Sequence, residues 1–389
     1  MDKSASWDWY DASVIQGALR HPHRRKGQKL SSYQADLSAY VRQLCVIGVD
    51  SRVLARSLLD ALTKLVGADD FSGVAWSGRD YQIANFYTDS AEWLAMIPEY
   101  QKAGGPRLDR EAVGVDFPTA MRRGYGWGRM GPENRQFARS AGCAFFSSLG
   151  VEHCLECTAV EGGRGWGSLM FARGNRSKAF SSEDEMQLRR LSPHIAHALR
   201  REESRSECTE LTESGVVIVS ARGHVIHQDP IGARLLWLCS RPSTRDYRDP
   251  RQVPRFLLTL TARVNAALQV RDAKPPVAAL RNSWGRFEFR SYPLRDIGRM
   301  GLAAPVDRFA ITISRYEPLV TRVARTSFAL HLTPMQRQIS ICLASQGSYA
   351  SIANQLHVKR STVIDHVRKI YLRLDVHDHA SLLAKLRSA

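Results

Sequence analysis

Residues 348–374, SYASIANQLHVKRSTVIDHVRKIYLRL, constrain this chain more than any other stretch. Their spacing predicts two short helices joined by a tight turn at His357-Val358-Lys359, with Val358 as the apolar plug beneath it. In the first helix Ile352, Ala353 and Leu356 share a face, and Ala353 is small enough for a second helix to cross close by. In the second, Val363, Val367, Ile370 and Leu374 recur at i, i+4, i+7 and i+11 and form one apolar stripe. Opposite that stripe lie Ser361, Asp365, Arg368 and Leu372, flanked by Thr362, Ile364 and Lys369. A helix face this small, polar and cationic suits entry into a DNA major groove.

Upstream, Thr333-Pro334-Met335-Gln336 reads as a helix start, with Thr333 as cap, Pro334 at the first helical position and Gln336 completing a capping box. Ile339, Leu343 and Ala344 give that helix an apolar face. Downstream, Ala380, Leu382, Leu383 and Leu386 predict a short fourth helix. Residues 330–389 are therefore expected to form an all-α four-helix domain.

This stretch resembles the C-terminal helix-turn-helix of the LuxR/GerE family. The likeness rests on Leu332-Thr333, Ala344, Ser348, Ile352-Ala353, Leu356, Thr362-Val363, His366, Ile370, Leu374 and Val376. The chain departs from the family where Met335-Gln336 replace Arg-Glu, Gln338 replaces Glu, Gln346 replaces Gly and His379 replaces Arg. Lys359 stands where the family carries a capping Ser; losing such a cap costs ~1 kcal/mol, which moves the expected start of the second helix to Ser361. The resemblance implies that Ile364, Asp365 and Arg368 face base edges, while Arg360, Ser361, Thr362, Lys369 and Arg373 meet phosphates. It makes double-stranded DNA the partner, bound by a homodimer on paired half-sites, with RNA polymerase as a further partner. Helix 183–203 is the expected dimer seam.

The rest of the composition agrees. The 389 residues suffice for two or three domains, and a net charge of +17 points to a polyanionic partner. Seven cysteines, odd in number and scattered, exclude a disulfide framework as the organising device. No N-terminal apolar segment and no bilayer-length apolar run is present, so the expectation is a cytoplasmic protein without a membrane partner.

From the start of the chain, residues 1–30 read as a flexible leader ending in a basic run, His21 to Lys26. Two helices follow. Leu37, Tyr40, Val41, Leu44 and Cys45 share one apolar face, and Val53-Leu54, Leu58, Leu62, Leu65 and Val66 share another. Asp69-Asp70 come after a helix and before Phe71, which reads as a helix–strand turn rather than the phosphoacceptor site of a receiver domain. Residues 71–87 predict a hairpin turning at Ser77 to Asp80. After a Gly/Pro-punctuated stretch, AGCAFFSSLGVEHCLECTAVE and GWGSLMFARG predict two strands around Gly162-Gly163, and Ser182 with Glu185 predicts a capping box opening a long helix.

This order over 31–203 resembles a GAF-type sensor domain. Residues 204–318 resemble a PAS-type domain: a hairpin turning at Ala221 to His224, helices at 231–238 and 254–270, and strands at 286–290 and 308–313. Residues 319–329 read as the linker. The expected fold class is thus α+β multidomain, GAF-like then PAS-like, followed by the all-α helix-turn-helix domain.

Other chemistry is weak by comparison. Cys154-x-x-Cys157 has metal spacing but sits in a predicted strand, where i and i+3 point to opposite faces. His194 and His197 lie three apart on one helix and read as packed or solvent-facing. No phosphate loop, Ser-His-Asp set or paired-carboxylate motif is legible, so the expectation is no enzyme, no cofactor and no metal. Trp76, Tyr81, Trp93, Tyr100, Trp127 and Trp166 are the candidates for lining a pocket that takes a small-molecule effector. Together these observations predict a sequence-specific DNA-binding transcription regulator controlled by its front domains. The alternatives are a phosphorylation-driven response regulator, or an enzymatic or small-molecule-binding front end with the C-terminal helices as an interaction module.

Overall fold

The computed structural model describes residues 29–90, 93–94, 100, 104–200, 207–240, 253–268, 275–294 and 306–388. The basic run at 21–26 lies outside them. Helices α1 (Lys29–Val46) and α2 (Ser51–Val66) lead. The Asp50 carboxylate caps α2 by accepting from the Arg52 backbone N–H at 2.9 Å, and Gly67 ends it in the left-handed region at φ 64°. Every apolar residue assigned to the two predicted helix faces is buried. Each fully buried leucine among them contributes roughly 1.5–3 kcal/mol.

Next come β1 (Phe71–Ser77), β2 (Ile83–Thr88), α3 (Gly105–Val113), α4 (Phe117–Arg123), β3 (Arg129–Met130), α5 (Arg135–Ala138), α6 (Ala141–Ser148), β4 (Val151–Glu161), β5 (Arg164–Gly174) and α7 (Ser182–Arg200). The strands form an antiparallel sheet in the order β2-β1-β5-β4-β3. Alternation divides its residues between two layers. Val74, Trp76, Leu155, Leu169 and Phe171 pack toward α1, α2 and α7, and Phe71, Cys154 and Ala172 pack on the other side. Asp69 and Asp70 lie in the turn between α2 and β1, where the Ser177 hydroxyl and the Gly174 N–H donate to Asp69.

Two local expectations change here. Residues 141–148 are a helix, not the start of a strand: Ser140 caps it by accepting from the Cys143 N–H at 3.0 Å. The capping box of α7 lies one residue earlier than read, between Ser181 and Asp184. Glu185 instead pairs with Arg129 at 2.9 Å and Arg189 at 2.8 Å. The apolar side of α7 (Leu188, Leu191, Ile195, Ala196) is taken up within the chain, so a dimer seam there would use its outward polar face.

A second antiparallel sheet follows, in the order β7-β6-β10-β9-β8. Its strands are β6 (Glu210–Ser220), β7 (Val225–Gln228), β8 (Val277–Asn282), β9 (Gly285–Leu294) and β10 (Arg308–Glu317). The alternation-poor run 277–282 gave no strand signal in the sequence; pairing with β9 makes it one. Helices α8 (Pro230–Cys239) and α9 (Arg255–Leu268) accompany the sheet, and their Leu235, Leu257 and Leu260 are buried in the same core as Val217, Phe287, Phe289 and Ile311.

The C-terminal helices are α10 (Leu319–Ala329), α11 (Pro334–Ala344), α12 (Tyr349–Gln355), α13 (Arg360–Leu374) and α14 (His379–Ser388). The capping box at Thr333 and Gln336 forms as read. Two readings are corrected. Residues 319–329, read as the linker, form helix α10, with Thr321, Val323, Ala324, Thr326 and Ser327 buried. And α13 starts at Arg360, one residue before Ser361, with Lys359 in the cap position, its backbone extended at φ −71° and ψ 147°, and no side-chain cap bond. One continuous apolar cluster reaches from α1 through both sheets to α14, so the chain is α+β in class without a soft boundary before its last helices.

Candidate nucleic-acid interface and an internal cavity

Helix α13 is set by its stripe. Val363, Val367, Ile370 and Leu374 are all buried, which fixes its rotation and turns the opposite side outward. Arg360, Ser361, Asp365, Arg368, Lys369 and Arg373 are exposed, and Thr362 and Ile364 are half-buried at the edge. At about 100° per residue the eight residues singled out in the sequence spread over more than half of the circumference of α13, with Ser361, Asp365 and Arg368 most nearly opposite the stripe and Arg360 next to it in the first turn. Arg368 leans on Asp365 at 3.8 Å, an exposed i,i+3 pair that water and salt screen. Among the described residues Arg360, Lys369 and Arg373 have no ion pair. Leu372, on the same side, is 82% exposed, and His366 is half-buried beside the stripe.

The helices around α13 are docked by other surfaces. Arg337 of α11 is fully buried against α1. Its guanidinium donates to the Leu332 carbonyl at 2.8 Å and to Gln43 Oε1 at 3.0 Å, and pairs with Asp36 at 2.8 Å. Gln43 returns a bond to the Pro334 carbonyl at 2.6 Å. Alongside, Tyr40 of α1 stacks on Phe328 of α10 with ring centroids 4.4 Å apart. None of these contacts uses the outer side of α13. Sequence reasoning missed Arg337 because its partners lie about three hundred residues earlier.

A second cluster joins α2, β6, α8 and β10. Glu213, buried on β6, pairs with Arg315 at 3.1 Å, Arg56 at 3.1 Å and Arg234. Arg315, 1% exposed, also donates to the Trp284 carbonyl at 2.8 Å and toward the Val53 carbonyl at 3.4 Å. Burial pushes the Glu213 carboxyl up, but the Arg315, Arg234 and Arg56 guanidiniums outweigh it and hold it below the ordinary value.

Between the first sheet and α3–α6 lies an apolar cavity of about 160 Å³. Phe71, Gly73 and Ala75 of β1 and Ser168 and Met170 of β5 form its floor, and Leu108, Phe137, Phe145 and Phe146 its roof. Trp93, Tyr100 and Trp127 line it as the sequence suggested; the other three aromatics do not. Trp76 is on the opposite side of the sheet, donating to Ser51 Oγ at 2.8 Å and packing edge-on against Trp284. Tyr81 and Trp166 sit under the Arg164 guanidinium, at 4.7 and 4.5 Å.

The polar groups of the cavity were not anticipated. Asp109 reaches it from α3, and the Tyr100 hydroxyl donates to its Oδ1 at 2.5 Å. Burial pushes the Asp109 carboxyl up to about 6. Trp127 Nε1 is buried without a hydrogen-bond partner among the described residues. At the edge, burial raises Glu156, whose carboxylate accepts from the Thr158 and Ser168 hydroxyls, both at 2.7 Å. Cys154 packs on the cavity side of β4 and Cys157 in the core on the other, as strand alternation requires. His194 is exposed, and His197 lies 3.8 Å from Glu161.

No helix among the described residues is long and apolar enough to cross a membrane. No protein-family model matches this chain, and no curated protein does. Among solved structures it is similar to the phage VqmA–DPO complex, at 16% identity over 45% of this chain and 84% of that one, with a TM-score of 0.18. It is also similar to the E. coli DhaR(N)–DhaL complex, at 11% identity over 76% and 92%, with a TM-score of 0.22. A third is the bacteriophytochrome RpBphP3 of R. palustris, at 11% identity over 75% and 63%, with a TM-score of 0.27. Similarity at these TM-scores carries no functional argument.

Proposed function

We propose that this chain is a sequence-specific DNA-binding transcription regulator, with a GAF-like unit at 31–203 and a PAS-like unit at 204–318 controlling a LuxR-type helix-turn-helix at 330–389. The observation that carries the reading is the outer side of α13: polar, cationic and uncovered, on a helix whose other side is fully spent on its own bundle. Ile364, Asp365 and Arg368 read base edges. Asp365 accepts from a cytosine amine, and Arg368 donates to a guanine or to phosphate. Arg360, Ser361, Thr362, Lys369 and Arg373 hold the backbone, with the N-terminus of α13 adding its dipole. One short helix offers few contacts, so two copies bind paired half-sites. The front units act by population shift, and the reading assigns them no catalytic step.

Selection of duplexes from a random pool by the full-length protein tests this. A recovered site with two inverted halves about one helical turn apart is the expected result. Recovery of no common sequence would overturn it.

A further inference from the structure

The cavity under α3–α6 has two needs that no described residue meets. Among the described residues its lining carries one carboxyl, Asp109, and no Lys, Arg or His. Tyr100 serves one oxygen of that carboxyl; among the described residues the other has no hydrogen-bond donor. The guanidinium that acts on it, Arg110, is paired with Asp116 at 2.5 Å. Meanwhile Trp127 holds a buried N–H that no described residue receives. Around these groups the walls are aromatic: Phe86, Trp93, Phe145 and Phe146 join Tyr100 and Trp127. Aromatic faces attract cations, and a desolvated carboxylate demands one.

We propose that this cavity binds a small organic monocation, an amine with an apolar body, whose ammonium pairs with Asp109 against the aromatic faces. A neutral apolar ligand would leave the carboxylate unpaired, and an anion would be repelled by it. The body fills the space between the Phe145 and Phe86 walls, and its ring receives the Trp127 N–H on its π face. This rests on the reading of the front half as a sensor and supplies the chemistry of its signal.

Binding of 2-phenylethylamine to the full-length protein, followed by titration calorimetry at pH 8, is the test. The same measurement on 2-phenylethanol and phenylacetate, matched in shape but neutral and anionic, gives the comparison. The amine is expected to bind at least roughly tenfold tighter than either, and Asp109→Asn to remove that preference. Wild-type protein supplies a second readout that needs no variant. The groups facing Asp109 are the Tyr100 hydroxyl, raised by burial, Asp116, held below the usual range, and Arg110. Among the described residues that line the cavity, Asp109 is the group that changes charge near pH 6, so amine affinity falls as pH drops through about 6 and alcohol affinity does not. Equal binding of alcohol and amine, or no amine binding at all, would overturn the proposal. Duplex binding by the same preparations without amine separates this failure from failure of the DNA reading.

Discussion

Arginines in this chain do two opposed jobs. Around Glu213, and at Arg337, guanidiniums are buried, paired and hydrogen-bonded, and they fasten segments far apart in sequence. On α13, Arg360, Arg368 and Arg373 are solvated and fasten nothing beyond a screened contact with Asp365. The same side chain is thus structural where desolvated and available where wet. Net charge alone does not distinguish the two uses; burial does.

The comparison breaks most visibly at Glu213. Glu213→Gln leaves three guanidiniums without their shared anion, and urea unfolding should show a loss of about 3–5 kcal/mol. Because the folded carboxyl is held below its unfolded value, the parent's advantage is present above about pH 4.3 and disappears as pH falls through the depressed value. Asp109 has the reverse sign. Its folded value lies above the unfolded one, so ionisation above pH 6 costs stability and the cost vanishes below about pH 4. Asp109→Asn is expected to gain up to ~3 kcal/mol at pH 8 and nothing at pH 4, read by thermal unfolding at both.

Arg337→Ala strands the Leu332 carbonyl, Gln43 and Asp36, at a cost of about 1–3 kcal/mol. It should also split unfolding into two steps as α11 loses its hold on α1. Arg368→Ala sharpens the other side of the comparison: stability within about 0.5 kcal/mol of the parent, but a loss of roughly 1–3 kcal/mol in binding a selected duplex, with relaxed preference at one base. The smallest effect is local. Gln346 holds a left-handed φ of 61°, so Gln346→Gly should raise stability by up to ~1 kcal/mol in chemical denaturation.

The outward side of α13 was legible in the sequence because it is a local property. A stripe at helical spacing dictates what lies opposite, whatever else the chain does. The faces of α1 and α2 were legible for the same reason. Ala141–Ser148 was not, since an apolar, Phe-rich run scores for a strand until Ser140 caps it and it is seen to roof a cavity. Of six aromatic pocket candidates, three line the cavity. Trp76 belongs to a junction with Trp284, a contact across more than two hundred residues that no periodicity encodes. Asp109 escaped notice because an acid on a short helix normally points to water.

Helix α10 has a mechanical consequence. A tether of eleven disordered residues would let the last domain tumble and sample many orientations. A helix buried on both flanks, with Phe328 stacked on Tyr40, behaves as a shaft keyed to α1 at one end and to the bundle at the other. A keyed shaft leaves the last helices one bearing relative to α1, where a free tether would leave them many.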